Sequence, residues 1–329
     1  MRYPLLLILL ALLAALLFGL SLMTGPSGIG IRQALSALAG RDDNPAVVLV
    51  MQEVRLPRAL LGLFIGAGLG LAGAAMQGWL RNPMAEPGLI GTSSAAALGA
   101  VIVLQTGVSA LTPLALPAAA LTGAALAVVL VMALAGPRGA SLTVILAGLA
   151  ISTLAGALTS LALSLSPNPF AASEVMFWMM GALTDRSFAH VWIALPPIIL
   201  GGALILTLGR GLDALTLGED AAESLGIGMG RLRMLLILGS AAIVGGATAV
   251  AGAIGFVGLV VPHVLRPLTG GLPSRLLPAS ALGGAVMLLA ADIATRLIAP
   301  DRDLKLGVLT AIVGAPFFLH LIWRLRSAA

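Results

Sequence analysis

The stretch PRALLGLFIGAGLGLAGAAMQGWL, residues 57–80, decides the class of this protein. Apart from Arg58 it carries no charge, and as a helix it is long enough to cross roughly 30 Å of hydrocarbon. Gly62, Gly66, Gly70, Ala74 and Gly78 recur every four residues and so share one helix face. Small residues on one face let a second backbone approach closely, which is how helices associate where lipid is as apolar as they are. The formal GxGxxG at Gly68–Gly73 lies inside an apolar span and follows no strand. Packing, not dinucleotide binding, explains it.

Similar windows recur near 4–23, 88–107, 112–135, 142–165, 191–208, 233–251, 255–268, 277–298 and 306–324. With 57–80 they predict about ten transmembrane helices, the eighth short, in one membrane domain covering residues 1–329. Continuous apolar runs of this length exclude a barrel, whose strands alternate in face over about ten residues. The expected fold is an all-α polytopic membrane protein. Composition agrees: 59% of residues are hydrophobic and only 9% charged, whereas soluble domains carry about 25%. Mean hydropathy is +1.09. The first run, to Met23, exceeds the 7–15 residues of a signal-peptide core, so it reads as a first span.

Several function classes fall away. The net charge is +5 despite a pI near 11.2, and the arginines are scattered singly, so no basic stripe exists for nucleic acid. There is no cysteine, and His190, His263 and His320 are too far apart for a local metal motif. No catalytic constellation appears. Intramembrane acids are nearly absent, and Asp292, four residues before Arg296, is placed to pair with it. A proton- or sodium-coupled carrier lacks its usual machinery, so the energy for any transport must come from elsewhere.

With the N-terminus inside, ten Lys/Arg fall on the cytoplasmic side and eight outside, out of 18. That is a weak positive-inside bias, so either the outer arginines have a task or the topology differs. Ala72-Gly73-Ala74 followed by Pro83 recurs as Ala251-Gly252-Ala253 followed by Pro262. The echo points to a five-plus-five inverted repeat, a recurring transporter design. Chance similarity between Ala/Gly-rich helices accounts for it equally well.

Four polar or soft segments are candidate sites. Arg55 and Arg58 flank Leu56-Pro57 at the outer start of the second span and, joined by Arg296, form a clamp for an acidic partner or else snorkel to the interface. Asn82-Pro83-Met84 sits in a tight re-entrant turn fixed by two prolines and a glycine, for which a plain connector is the simple reading. Residues 213–231 form the longest polar stretch on the inner side. There Glu219 and Glu223 are an acidic pair, Ala221, Ala222 and Leu225 an apolar patch, and Gly226 the end of a short helix fit for docking another protein. Met176, Phe177, Met179 and Met180 belong to a segment too short to span, which reads as an outer half-helix lining an entrance or anchored at the interface.

These segments resemble the FecCD-type permeases of the cobalamin, haem and iron-siderophore importers driven by ATP. The resemblance rests on R-L-P-R at 55–58, Q-x-x-x-R-N-P-M-A-E-P-G-L-I-G at 77–91, F-W-M-M-G at 177–181, L-G-E at 217–219, A-G-x-I-G-F-V-G-L-V-V-P-H-x-x-R at 251–266 and G-V-L-T-A-I-V-G-A-P-F-F-L at 307–319. It implies a ten-helix subunit that pairs with a second copy around a central path in the bacterial inner membrane. By resemblance, Arg55, Arg58 and Arg296 dock a periplasmic substrate-binding protein. Leu217, Gly218, Glu219, Ala221, Ala222, Leu225 and Gly226 meet one of two cytoplasmic ATP-binding subunits. Asn82, Pro83, Met84, Ser141 and Leu142 gate the inner end, although Ser141-Leu142 departs from the polar pair of the cobalamin relatives. ATP and magnesium belong to the partner, so this chain is expected to bind no cofactor or metal and to hydrolyse nothing. The expected cargo is an iron chelate, siderophore or haem, with vitamin B12 as the alternative.

Overall fold

The computed structural model describes the chain except for residues 1, 26–27, 111, 113, 137–140, 167–168, 300–301, 303 and 328–329. Regular structure among the described residues is helical. The chain opens with α1 (Tyr3–Met23), α2 (Ile31–Leu38), α3 (Pro45–Leu49) and α4 (Leu56–Trp79). Next come α5 (Thr92–Gln105), α6 (Ala115–Ala135), α7 (Ser141–Ser164) and α8 (Pro169–Met179). The second half holds α9 (Phe188–Thr207), α10 (Gly209–Leu215), α11 (Glu219–Ser224) and α12 (Met229–Ala251). It ends with α13 (Val257–Leu265), α14 (Pro273–Ile298) and α15 (Leu306–Ser327).

Among the described residues, 7 helices are long and apolar enough to cross a membrane: α1, the continuous helix Pro45–Trp79, α6, α7, α9, α12 and α14. The other expected windows coincide with three shorter apolar helices, Thr92–Gln105, Val257–Thr269 and Leu306–Leu319. The first of these is short because Pro87–Ile90 forms a 3-10 turn and Gly91, at φ 78°, resets the chain before α5. One boundary differs from expectation. The second span does not start at Pro57 but runs back to Pro45 through a π-helical turn, Val50–Arg55. Pro57 has no N–H to donate, and the wide turn reroutes the ladder just before it, with Leu56 N–H reaching Met51 O.

The glycine face of α4 forms the centre of the bundle. A Cβ on Gly66 or Gly70 would run into the backbone of Gly284 or Ser280 on α14, and one on Gly73 into Gly258 on α13. Gly68 faces Ile243 of α12. Each glycine of the apparent nucleotide fingerprint is thus spent on a helix contact, as the packing reading required. The arrangement is reciprocal: α4 packs on α13 and α14, α12 packs on α5 and α6, and α4 and α12 touch each other. Helices α1 and α14 lie side by side and run parallel. Their starts meet where the Tyr3 hydroxyl donates to Arg275 O at 3.2 Å, and their ends meet at Ser21 and Arg296.

Candidate functional site

Helix α1 ends with its last carbonyls in an apolar bundle, where unpaired acceptors are costly. Two guanidinium groups supply the missing donors. Arg55 donates from Nη1 to Leu22 O at 2.9 Å and Met23 O at 3.2 Å. Arg296 donates from Nη1 to Ser21 O and Thr24 O, both at 2.9 Å, and from Nη2 to Ser21 Oγ at 2.7 Å. Positive charge at a helix C-terminus also suits its dipole. Asp292 lies beneath, 1% exposed, between Arg58 Nη2 at 2.8 Å and Arg296 Nη2 at 2.7 Å. The pairing of Asp292 with Arg296 is as its spacing foretold, whereas the share taken by Arg58, 234 positions away in the chain, had no local signal. Arg55 is 5% exposed and turned into the protein, so the expectation that it docks an acidic partner or snorkels to the interface is corrected: its guanidinium is spent on the end of α1. The Arg58 and Arg296 side chains keep 18% and 13% of their surface exposed.

Close to the same end, Met176, Phe177 and Met179 of α8 and Met180 just after it are exposed. Val175 of the same helix is fully buried and fixes its orientation. The end of α8 is locked by backbone bonds: Ala182 N–H donates to Ala251 O at 2.8 Å and Gly307 N–H to Gly181 O at 3.2 Å. Gly181 and Gly252, both at φ 72°, make this three-way junction possible, since a Cβ on either would meet the opposing backbone. A cavity of about 650 Å³ opens beside it, lined by Met179, Met180, Ala253, Ala311, Ala315 and Pro316. Phe177 carries the Lys305 ammonium 5.5 Å from its ring centre. In the loop between α8 and α9, burial pushes the Arg186 guanidinium below its ordinary pKa, and Asp185 opposes that shift. His190 is the N3 partner of the Ser187 cap. Its Nδ1 accepts from Ser187 N–H at 3.2 Å in a capping box that starts α9.

At the opposite end, α4 ends in a turn with Arg81 at φ 47°, and Asn82 N–H reaches back to Gln77 O at 3.2 Å. Asn82 Oδ1 accepts from Met84 N–H at 2.9 Å, so the expected gate turn is held by its own side chain. Glu86 Oε1 accepts from Phe256 N–H at 3.0 Å. That bond stabilises Phe256 at φ 69°, an uncommon conformation for a bulky residue, just where α13 begins. Gln77, fully buried in α4, donates to Leu259 O at 3.1 Å and accepts from Arg266 Nη2 at 3.0 Å. Sequence reading left Gln77 unassigned. A glutamine deep in an apolar span was the available signal, because a buried amide demands partners. The 3-10 turn after Asn82–Met84 packs at Gly148 of α7, while Ser141 opens α7 and Leu142 is exposed.

The segment 213–231 folds into α10, α11 and the start of α12. Helix α11 ends as expected at Gly226, φ 83°, with Gly226 N–H on Glu223 O and Ile227 N–H on Ala222 O, a Schellman closure. The expected apolar patch is corrected. Ala222 is fully buried, whereas Leu225 is 65% exposed, so the two do not share a surface. The exposed apolar pair is instead Leu217 and Leu225, flanking Glu219, Asp220 and Glu223. Asp213 Oδ1 accepts from Ser274 N–H at 2.8 Å and ties this segment to the start of α14. No group of three or more His, Cys, Asp or Glu that could hold a metal exists among the described residues.

Comparison with known proteins decides the family: residues 11–324 match the FecCD transport family. The chain belongs to it. Among FecCD relatives, the Fe(3+) dicitrate permease FecD of Escherichia coli is 38% identical over 277 residues, spanning 84% of this chain and 86% of that protein. The vitamin B12 permease BtuC of Salmonella typhi is 38% identical over 330 residues, spanning 99% and 96%. A solved transporter described as of the metal-chelate ABC type, in an inward-facing conformation, superposes with a TM-score of 0.87 at 32% identity and covers 98% of this chain and 99% of its own. This FecCD member is a multi-pass membrane permease of the ABC importer type.

Proposed function

We propose that this permease forms, with a second copy, the membrane path of an ATP-driven importer that brings a metal chelate across the bacterial inner membrane. The observation that carries the reading is the pairing of an apolar outer cavity, edged by Met179 and Met180, with an exposed acidic helix at the other end. One receives cargo, and the other offers a partner something to push. Ten crossings are supported by the three short helices on the remaining apolar windows and by the parallel run of α1 and α14. A five-plus-five repeat is supported by the reciprocal packing of α4 and α12.

In this reading Arg58 and Arg296 present charge to a periplasmic substrate-binding protein, while Arg55 fastens α1 beneath them. Leu217, Leu225 and the acids between them seat on one of two cytoplasmic ATP-binding subunits. A push there reaches α14 through the Asp213–Ser274 bond and α4 through the glycine contacts, where Asn82–Met84 and Ser141-Leu142 close the inner end. ATP and magnesium stay on the partner, no cofactor is held by this chain, and nucleic acid has no part. The two named relatives are equally similar, so an iron chelate gains no advantage over cobalamin, and the proposed cargo class is the metal chelate. Reconstitution with the ATPase tests it. Uptake that requires ATP hydrolysis supports the reading, and uptake driven by an ion gradient without the ATPase overturns it. The chromophore of the co-purified binding protein, a Soret band or a corrinoid spectrum, names the cargo.

A further inference from the structure

Helix α2 has an apolar arc wider than the surface it packs on. At about 100° per residue, Ala37, Ala34, Leu38, Ile31 and Leu35 follow one another round the helix over roughly 160°, and Arg32, Ser36 and Gln33 occupy the other side. The protein covers only one end of that arc. Ala34 and Ala37 are fully buried in a small outer core with Leu22 of α1 and with Met51 and Ala59 of the helix Pro45–Trp79. Leu38 is half-buried, and Ile31 and Leu35 are 70% and 61% exposed. Gln52 donates from Nε2 to Ala37 O and Leu38 O, both at 3.1 Å, and so holds α2 in this setting.

Depth decides what covers the open edge. The helix Pro45–Trp79 has 35 residues, about 52 Å, and so overshoots roughly 30 Å of hydrocarbon. Its Arg55 is level with the end of α1, whose Leu22 and Met23 carbonyls it binds. Helix α2 rests on Leu22, Met51 and Ala59, on either side of that level, so it lies where both spans leave the hydrocarbon. At this depth one side of α2 meets acyl chains and the other meets water. The polar side carries Ser36, whose Oγ donates to Asp42 Oδ2 at 3.0 Å, and an acid belongs in water. That leaves lipid for Ile31 and Leu35. We infer that α2 is an interfacial helix whose Ile31–Leu35 edge inserts into the outer leaflet, with Arg32 at the phosphates beside it. Arg32 thereby gains a task of the kind that the weak inner bias of Lys and Arg left open for the outer arginines. The insertion needs only that α1 and Pro45–Trp79 span, whereas naming the leaflet as the outer one rests on the permease reading above.

The chain has no cysteine, so Leu35→Cys and Gln33→Cys in the full-length protein each accept a single nitroxide label. Both positions are exposed and outside the outer core, so neither label disturbs the packing of α2. In vesicles of palmitoyl-oleoyl phosphatidylglycerol and phosphatidylethanolamine, collisions with oxygen and with a water-soluble nickel chelate read the depth of each label. The Leu35→Cys label should lie about 5 Å or more below the phosphates, while the Gln33→Cys label stays in water. Equal access of nickel to the two labels would sink the inference. Spin–spin broadening between Leu35→Cys labels would do the same by placing a second copy on this edge. So would a Leu35→Cys label that leaves water only when the substrate-binding protein is added. ATP-driven uptake with a wet Leu35→Cys label removes this inference alone, and ion-driven uptake with that label in lipid removes the permease reading instead.

Discussion

Helices α1 and α4 are both apolar and both span, yet they use their apolar residues in opposite ways. The most hydropathic window of α1 averages 3.0 and is 22% buried, while that of Pro45–Trp79 averages 2.0 and is 78% buried. The more hydrophobic helix is the more exposed one. In water that order would be perverse, but a lipid tail solvates leucine as well as a protein core does, so hydrophobicity confers no reason to go inside. What earns α4 the centre is closeness of approach, made possible by Gly66, Gly70 and Gly73. Leucine-rich α1 stays at the outside of the bundle, packed along α14 and attached by its polar ends, Tyr3 at one and the arginines at the other.

The largest expected effect breaks the α4 side of that contrast. Gly73→Leu places a side chain into the backbone of Gly258, where nothing flexible can yield. Overpacking of this kind costs about 3 kcal/mol or more. The variant should give no monodisperse peak in detergent size-exclusion chromatography. A wild-type profile would mean that α13 is free to move away from α4 and that the glycine face is not the organising contact.

Next in size is Asp292→Asn, aimed at the attachment of α1. It leaves Arg58 and Arg296 without their shared counter-ion. Removing one partner of a buried charge pair costs about 3 kcal/mol. Thermal unfolding in detergent should show a markedly lower midpoint, and Arg58→Gln in the same chain should recover part of it by removing a stranded charge whose bonds go to Asp292. Arg55→Ala should follow at about 2 kcal/mol, since it strands the Leu22 and Met23 carbonyls. Limited proteolysis near residue 24 should then become faster. Undisturbed digestion would show that α1 is held from its flank alone.

The contrast also explains what could be read from the chain beforehand. Span positions were legible because length and apolarity are one-dimensional properties, and the glycine face of α4 was legible because it repeats every turn. The Gly226 stop was legible too, from the chemistry of that single residue. The depth of a six-residue element was not, so Ala222 and Leu225 were assigned to one patch when the first is buried against the bundle and the second, just past the helix end, is exposed. Nor was the burial of Arg55, because it depends on carbonyls more than thirty positions away that only the fold brings near. The π turn at 50–55 had no pattern of its own, and His190 revealed its capping role only once Ser187 was seen to start a helix.

The smallest expected effect tests the lipid side of the contrast. Leu12 and Leu16 of α1 are 62% and 59% exposed within the chain. If lipid is their only neighbour there, truncation replaces side-chain contact with acyl-chain contact, and no cavity is left because tails flow into the space. Leu12→Ala with Leu16→Ala should therefore change stability by less than about 0.5 kcal/mol each, as at ordinary surface positions. Matched unfolding curves in detergent and after reconstitution would check it. A loss of 2–3 kcal/mol per leucine, the figure for a packed interior, would mean that another protein surface covers this face. If that surface were a second copy, the proposed pairing would run along α1, and the proposed central path would have to be rebuilt around a helix now placed at the rim.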